Sequence, residues 1–255
     1  MLLAIDVGNT QTVFGLFEDE RLLADWRVAT RAETTSDELT LVVGALFDRA
    51  GIGRSGVHGI VACSVVPDAD AILTRAAKIL FDREPLFVGP GVKTGMPILY
   101  ENPHEVGADR IVNSVAALRR YGAPVIVLDF GTATTFDVVG PGGEYLGGVI
   151  APGLGLSAEA LFEKAARLHR VDVRRPQRVV GRNTEQSIQS GLFHGYAAMT
   201  EGVVRRIREE MGCEPPVVAT GGLAPVFAEE LTFLEDVDTR LTLEGLRLIW
   251  EKNPR

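Results

Sequence analysis

Leu3-Ala-Ile-Asp-Val-Gly-Asn-Thr-Gln-Thr12 and Ile126-Val-Leu-Asp-Phe-Gly-Thr-Ala-Thr-Thr135 are two versions of one segment. In both, an apolar strand ends at an acid, Asp6 or Asp129, and a glycine-bearing turn with hydroxyl or amide side chains follows. A second apolar strand completes each segment, at 13–17 and 136–139. The two acids are 123 positions apart, close to half of the 255 residues. The pattern predicts two β-hairpins that belong to an internal repeat.

Each predicted turn is suited to binding an anion, because it leaves backbone N–H groups and small side chains free to face one. One Asp-x-Gly-Asn-Thr segment is weak evidence, since Asp, Asn and Gly are ordinary turn residues. Two copies in the same strand context favour a functional role. Two such hairpins facing each other would form a clamp for phosphate and metal between two related lobes.

The order of predicted elements indicates an α/β fold. Each half runs strand, strand, strand, helix, strand, helix, which predicts mixed β-sheets flanked by helices. The length and the hydrophobic fraction of 46% suit two packed lobes. We expect an N-terminal lobe at 1–122 and a C-terminal lobe at 123–255, with the ligand cleft between them.

Local sequence signals predict the positions of several helices, strands and loops. Thr35 and Glu38 form a capping box before an apolar helical face that stops at Gly51, and Pro67 opens the next helix. The stretch 84–105 is rich in Pro and Gly and is predicted to be a loop. The remaining predictions are strands at 59–66, 144–150 and 216–220, and helices around Ile111, at 155–168, at 184–212, near Ala224 and at the C-terminal end.

Composition excludes several classes of function. The net charge is −8, and no basic cluster is larger than short runs such as Arg119-Arg120, Arg174-Arg175 and Arg205-Arg206, so nucleic acid is not an expected partner. No segment is apolar over the roughly 18 residues that a membrane span needs, and the N-terminus is predicted to be a strand, not a signal peptide. The two cysteines, Cys63 and Cys213, have neither zinc-site spacing nor a disulfide framework. We therefore expect a cytoplasmic protein.

Phosphate binding in this chain cannot use a P-loop lysine. The Gly-x-x-x-x-Gly-Lys-[Ser/Thr] motif is absent, and neither predicted hairpin contains one of the four lysines. Backbone amides, hydroxyls and a metal ion must then hold the phosphates. Gly221-Gly222, after a predicted strand, is either a turn on which a nucleoside lies or a simple helix-entry loop.

These motifs together resemble the two phosphate elements and the adenosine element of the actin, sugar-kinase and heat-shock-chaperone superfamily, whose ribonuclease H-like lobes arose by duplication. The finer resemblance covers nearly the whole chain and is to type III pantothenate kinases. The segments that carry it are Asp6–Thr10, Tyr100–Pro103, Gly107–Arg110, Asp129–Thr134, Gly147–Gly153 and Asn183-Thr184 ahead of Ser190-Gly191.

The resemblance implies ATP-dependent phosphorylation of the primary hydroxyl of pantothenate to 4'-phosphopantothenate, the first step of coenzyme A biosynthesis. It makes Asp109 the base that receives the hydroxyl proton, and Arg110 a partner for the substrate carboxylate. The implied pantothenate contacts are Tyr100, Gly107, Ala108, Asp109, Arg110 and Thr184.

The resemblance also implies ATP as co-substrate, with Mg²⁺ and a monovalent cation, K⁺ or NH₄⁺. The implied ATP contacts are Asp6, Val7, Gly8, Asn9, Thr10, Gln11, Thr12, Val13 and Thr132. Asp129 matches the family's monovalent-cation position, although its spacing alone does not distinguish that role from a Mg²⁺ ligand.

Family resemblance further implies a homodimer in which Thr184 reaches the partner's substrate site. The helix at 184–212 has an apolar stripe that suits a dimer interface or an internal core equally well. Two rival functions remain at this point. One is another phosphotransferase or phosphatase of the superfamily, such as a sugar kinase or an exopolyphosphatase-like hydrolase; the other is a non-catalytic nucleotide-binding regulator.

Overall fold

The computed structural model describes residues 1–164 and 171–253. Its strands are β1 (Leu2–Val7), β2 (Gln11–Glu18), β3 (Arg21–Ala29), β4 (Gly59–Ser64), β5 (Leu86–Phe87), β6 (Val125–Phe130), β7 (Ala133–Val139), β8 (Tyr145–Pro152), β9 (Val217–Thr220) and β10 (Leu234–Val237). Its α-helices are α1 (Ser36–Ala50), α2 (Pro67–Phe81), α3 (Ala108–Tyr121), α4 (Leu154–Lys164), α5 (Thr184–Met211), α6 (Ala224–Phe227) and α7 (Leu241–Lys252). Short 3₁₀ turns occupy Arg54–Gly56 and Pro103–Glu105.

Two five-stranded sheets have the same topology. The first has the order β3-β2-β1-β4-β5, and the second, read from its other edge, has the order β8-β7-β6-β9-β10. In each, the central strand pairs antiparallel with the strand that follows it and parallel with a later strand. The matching order confirms the predicted α/β fold of two related, mixed-sheet lobes.

Each sheet buries one face against helices that follow it in sequence. In the first unit, alternate residues of β1, β2 and β4 pack with Val43 and Phe47 of α1 and with Leu73 and Ala77 of α2. In the second, β6, β7 and β9 pack with residues of α4 and α5, including Leu154, Ile188 and Phe193. The period-2 alternation of the strands and the helical stripes meet at these cores.

The apolar stripe of α5 belongs mostly to the second core. Ile188 and Leu192 are buried there, and Val203 and Ile207 pack against the same cluster. Of the two uses that the stripe allowed, the structure selects the internal core for these residues. Any dimer surface must then come largely from other side chains.

The local start and stop signals act as predicted. The Thr35 hydroxyl accepts a hydrogen bond from the Glu38 N–H at 3.2 Å, and the Glu38 carboxylate accepts one from the Thr35 N–H at 2.8 Å. Gly51 ends α1 in the left-handed conformation, with φ 67°.

The sequence did not predict two of the strands, β5, which lies in the predicted loop 84–105, and β10. These strands have only two and four residues, which is too short to show a clear periodicity. The end of the predicted helix 155–168, at 165–168, lies outside the described residues.

The chain forms two compact units. The first consists of Met1–Arg120 together with the C-terminal segment from Arg240 onward, and the second consists of Tyr121–Thr239. The first break lies close to the predicted boundary at 122/123. The C-terminal segment differs from the predicted division, because α7 packs on β1, β2 and β4 of the first sheet. Gly15 and Gly59 make room for this helix: a Cβ on Gly15 would lie 2.8 Å from Leu243 Cδ1.

Among the described residues, no helix is long and apolar enough to cross a membrane.

Candidate active site

The first hairpin is closed by its own backbone. Gly8 N–H donates to the Gln11 carbonyl at 3.0 Å, and Thr30 N–H, at the end of β3, donates to the Thr10 carbonyl at 3.0 Å. The Thr12 and Thr30 hydroxyls are 2.8 Å apart. Asn9, Thr10 and Gln11 are exposed at the tip. The turn therefore presents amide and hydroxyl groups to solvent on a fixed frame, as phosphate binding requires.

Asp6 lies near the carboxyl end of the central strand and is flanked across the sheet. It is paired with Val13 of β2 and with Cys63 of β4, and Val13 is paired with Arg27 of β3. The Cys63 thiol donates to Asp6 Oδ1 at 3.3 Å. Burial, with a smaller contribution from the Asp109 charge, raises the pKa of Asp6 to about 6, while Cys63 and Arg27 oppose the rise. A carboxylate desolvated in this way is poised to interact with a charged ligand.

Asp109 lies in the first turn of α3, in the same unit as Asp6. Its Oδ1 accepts the Arg110 N–H at 2.9 Å, which fixes the side chain against its own helix turn. The carboxylate lies over Gly107, where an added Cβ would be 2.5 Å from Oδ1. Burial raises the pKa of Asp109, against the lowering effect of the Arg110 backbone and charge. The environment suits a general base, which needs a pKa above that of an ordinary aspartate.

The neighbours of Asp109 have distinct environments. Ala108 begins α3 and is half-buried, as is Gly107. Arg110 is buried, with 7% of its surface exposed. Tyr100 stands in the loop before α3 with 36% of its surface exposed. The predicted pantothenate contacts of the first unit thus lie in and just before one helix N-terminus, where the helix dipole favours an anion.

The second hairpin repeats the first with a turn one residue shorter. Asp129 is paired with Thr135 across the hairpin, whereas Asp6 is paired with Val13. The repeat offset is therefore 123 before the turn and 122 after it. Gly131 N–H donates to the Ala133 carbonyl at 3.1 Å, and Thr132 is exposed at the tip. Thr132 therefore lies on the turn between β6 and β7.

Two glycines hold this second turn closely, and sequence reasoning gave neither a firm role. Gly153 N–H donates to the Thr132 carbonyl at 3.1 Å, and a Cβ on Gly153 would lie 2.6 Å from the Gly131 carbonyl oxygen. Gly221, with φ 91°, passes so close to Asp129 that an added Cβ would overlap its carboxylate. The Gly221-Gly222 turn, which lies shortly before α6, is therefore packed against the strand-end acid.

Thr184 is the first residue of α5 and is exposed. The residue that caps the helix is Asn183, whose side chain accepts the Gln186 N–H at 2.8 Å. The Thr184 hydroxyl is therefore not the cap of this helix. The structure brings Asp6 and Asp109 together in the first unit and Asp129, Thr132, Gly153 and Gly221 together in the second.

Metal binding by protein side chains alone is not supported by these residues. Within 1–164 and 171–253, no three His, Cys, Asp or Glu side chains are grouped so that they could hold a metal ion. A Mg²⁺ ion that enters with a nucleotide fits this donor set better, since such an ion takes ligands from phosphates and water with few carboxylates.

Solved structures share this fold. A protein from Campylobacter jejuni described as a Baf family transcriptional activator aligns over 99% of this chain and 98% of its own, with a TM-score of 0.63 and 18% identity. The inorganic polyphosphate/ATP-glucomannokinase from Arthrobacter sp. strain KM aligns over 98% and 97%, with a TM-score of 0.51 and 16% identity. The duplicated sheet, with an acid and a glycine turn on each central strand, gives the chain the two-lobed α/β fold of actin-like ATPases and sugar kinases.

Sequence comparison narrows the class to one family. The model of type III pantothenate kinases matches residues 2–206. The type III pantothenate kinase of Koribacter versatilis (strain Ellin345) is 53% identical over 263 residues, which cover 99% of this chain and 96% of the relative. The chain belongs to the type III pantothenate kinase family.

Proposed function

We propose that this chain phosphorylates pantothenate with ATP, giving 4'-phosphopantothenate and ADP as the first step of coenzyme A biosynthesis. The observation that carries the assignment to particular residues is the placement of Asp109. Its half-buried carboxylate lies at the N-terminus of α3, within electrostatic range of Asp6 at the first hairpin. A group able to accept a proton therefore lies beside a group suited to the nucleotide.

The proposed reaction is an in-line transfer between two oxygens. The pantothenate hydroxyl oxygen bonds to the γ-phosphorus of ATP as the bond from that phosphorus to the bridging oxygen breaks, and ADP leaves. Asp109 receives the hydroxyl proton. Its bond from the Arg110 N–H holds the carboxylate in one orientation, so that part of its contribution is alignment of the hydroxyl.

Charge and shape support the substrate contacts. The substrate carboxylate is assigned to Arg110 and to the N-terminal end of α3, where a guanidinium and the helix dipole favour an anion. Tyr100 contributes an aromatic wall, and Thr184 contributes a hydroxyl. Gly107 and Ala108 line the approach without side chains that would crowd Asp109; a Cβ on Gly107 would press on its carboxylate.

The nucleotide contacts follow from the two turns. The first turn, from Asp6 to Val13, and Thr132 of the second turn are assigned to the phosphates of ATP. Hydrogen bonds within each hairpin already fix the backbone of its turn, so little ordering is needed when ATP binds. Mg²⁺ neutralises the phosphate charge when it is bound with the nucleotide.

We also propose a monovalent cation at Asp129. Asp129 matches the family's monovalent-cation position, and its carboxylate lies near the end of β6 with Gly221 close beside it. Carboxylate oxygens are suitable ligands for such a hard ion. Turnover should be higher in K⁺ or NH₄⁺ than in Na⁺ at equal ionic strength, and Asp129→Asn should remove that difference. Equal turnover of the parent protein in all three salts would contradict this assignment.

A homodimer in a reducing compartment completes the proposal. Family resemblance supports the dimer, with Thr184 serving the partner's substrate site. Cys63 and Cys213 are both free thiols, which agrees with the cytoplasm.

ADP release with purified protein tests the function. Release that depends on pantothenate, with 4'-phosphopantothenate identified by mass spectrometry, is the expected result. Release that depends on a hexose would indicate a sugar kinase, and release without any acceptor would indicate a hydrolase. ATP binding without turnover on any of these would favour a regulator.

A further inference from the structure

Cys63 occupies the position beside Asp6 in a row of residues that crosses the first sheet. The row runs Arg27, Val13, Asp6, Cys63, one residue from each of four adjacent strands. Residues that are directly paired in a sheet point to the same face. The thiol and the carboxylate therefore share one face, opposite the face that packs on α1 and α2.

The contact between the two side chains is a directed one. The Cys63 sulfur is 3.3 Å from Asp6 Oδ1, and an ionised carboxylate can only accept, so the thiol is the donor. Cys63 has no exposed surface. A buried position that served packing alone is equally well filled by an apolar residue, whereas this one supplies a donor to an acid whose negative charge burial disfavours.

The second sheet has a hydroxyl residue at the equivalent position. Asp129 is paired with Thr220 on the parallel neighbour β9, as Asp6 is paired with Cys63 on β4. Thr220 is also buried, with 2% of its surface exposed. Both halves of the duplicated fold thus place a residue with an S–H or O–H group beside the strand-end acid, although the two residue types differ.

We propose that Cys63 is a positioning residue for the kinase reaction: its thiol holds the Asp6 carboxylate in the orientation that meets the ATP phosphates and their Mg²⁺. The inference rests on the proposed function, because Asp6 is assigned there to the nucleotide. Cys63 itself touches no substrate. Loss of the donor leaves Asp6 free to turn and weakens nucleotide binding without affecting pantothenate.

Three substitutions separate the donor role from a packing role. Cys63→Ser keeps a donor but is a poorer apolar filler, whereas Cys63→Val fills the space without a donor, and Cys63→Ala removes the donor without adding bulk. Cys213→Ser is the matched control, because Cys213 follows the end of α5 and has no side-chain bond to an acid among the described residues. For each variant we would measure kcat, the KM for ATP, the KM for pantothenate and the thermal unfolding temperature.

The positioning role predicts a split between these parameters. Cys63→Val and Cys63→Ala should raise the KM for ATP by roughly tenfold, the effect of losing one weak hydrogen bond to a charged group, with the pantothenate KM unchanged. Cys63→Ser should stay within about threefold of the parent, as should Cys213→Ser. A purely structural role would instead lower the unfolding temperature and the active fraction, which reduces kcat and leaves both KM values alone.

Two results would overturn the proposal. One is an unchanged ATP KM in Cys63→Ala or Cys63→Val; the other is an ATP KM that rises equally in the serine and valine variants. Should the valine variant not fold, the alanine variant decides. Calorimetric titration with a non-hydrolysable ATP analogue and Mg²⁺ gives a readout without turnover. It tests Cys63 even if the parent protein proves not to phosphorylate pantothenate.

Discussion

Asp109 and Asp6 both lie in environments that differ from those of ordinary aspartates. Both carboxylates are raised in pKa by burial, and the Asp109 charge adds to the rise at Asp6. Each accepts a hydrogen bond that helps to fix its orientation, from the Arg110 N–H for Asp109 and from the Cys63 thiol for Asp6. Burial of these charges therefore lowers the free energy of unfolding of the protein without ligand, and the same charges are available to interact with a nucleotide complex.

Asp109→Asn should abolish most turnover while leaving ATP affinity nearly unchanged. The amide keeps the size of the side chain but cannot accept the hydroxyl proton. General-base contributions are typically about 10² to 10⁴ in rate, so kcat should fall by at least the lower figure. Steady-state kinetics and calorimetric ATP titration measure the two quantities. Turnover within a few-fold of the parent would remove Asp109 from the proposed role, and loss of ATP binding would indicate a structural role instead.

Asp6→Asn should stabilise the protein without ligand near neutral pH. The pKa of Asp6 is about 6 in the folded protein against 3.8 ordinarily, so the unfolded chain loses its proton first as the pH rises. The stability of the parent therefore falls as the pH rises between about 4 and 6, at a cost of at most about 3 kcal/mol. The asparagine variant escapes this cost.

Urea unfolding of both proteins at pH 4 and pH 7.5 measures the effect. The advantage of Asp6→Asn should be small at pH 4 and largest at pH 7.5, while protection of the variant by ATP should be weak at both. An advantage that does not grow with pH would show that Asp6 is ionised at little cost in the folded protein.

At the scale of elements, the two hairpins differ in what holds them. The first is tied to the end of β3 through Thr30, which bonds to Thr10 and Thr12. The second is held by Gly153, immediately before α4, and by Gly221, immediately after β9. The same strand order thus supports two turns by different means.

Gly153→Ala should displace the second turn and weaken ATP binding. The added methyl group would overlap the Thr132 carbonyl oxygen, and backbone atoms cannot move aside as a flexible side chain can. We expect a loss of roughly 1–3 kcal/mol in stability, as for overpacked sites, together with a higher KM for ATP. Thermal unfolding and kinetics provide the two measurements.

Gly155→Ala is the matched control for that variant. Gly155 lies two residues further on, in the first turn of α4, and a Cβ there meets nothing within 4 Å. The alanine should be neutral or stabilising by up to about 1 kcal/mol. If both alanine variants behave like the parent, the close contact of Gly153 with the second turn is not needed for ATP binding or for stability.

At the scale of the whole molecule, the exposed apolar side chains of the second unit bear on dimer formation. The α5 stripe is largely buried within its own unit, but large apolar residues remain exposed on β8, on α4 and in the segment before α5. They are Leu146, Val149, Ile150, Leu156, Leu161, Val179 and Val180. The last two lie just ahead of Thr184 in sequence, so a partner that covers them would also approach that residue.

Light scattering should give twice the chain mass of 27.5 kDa at working concentration. Val180→Glu, which places a charge on a side chain that is 79% exposed, should shift the mass toward the monomer and raise the KM for pantothenate. Leu41→Glu, on the first unit at 74% exposure, is the control and should leave both unchanged. A monomeric parent with full activity would contradict the dimer.

The sequence by itself determined the features that arise within about fifteen residues. The two hairpins, the capping box of α1 and the helix that carries Asp109 were all predicted, because turn chemistry and hydrophobic periodicity act over short distances. The repeat also disclosed the duplicated sheet, since the same local pattern folds in the same way twice.

Tertiary structure alone decided the contacts that join distant parts of the chain. Cys63 meets Asp6 from 57 positions away, Gly153 closes on the Thr132 turn, and α7 packs on the first sheet instead of the second. The tertiary structure likewise decided that the apolar stripe of α5 packs in the core of the second unit. Each outcome depends on which apolar faces pack together and on which strands become neighbours, and a local pattern shows that a face will be buried without specifying its partner.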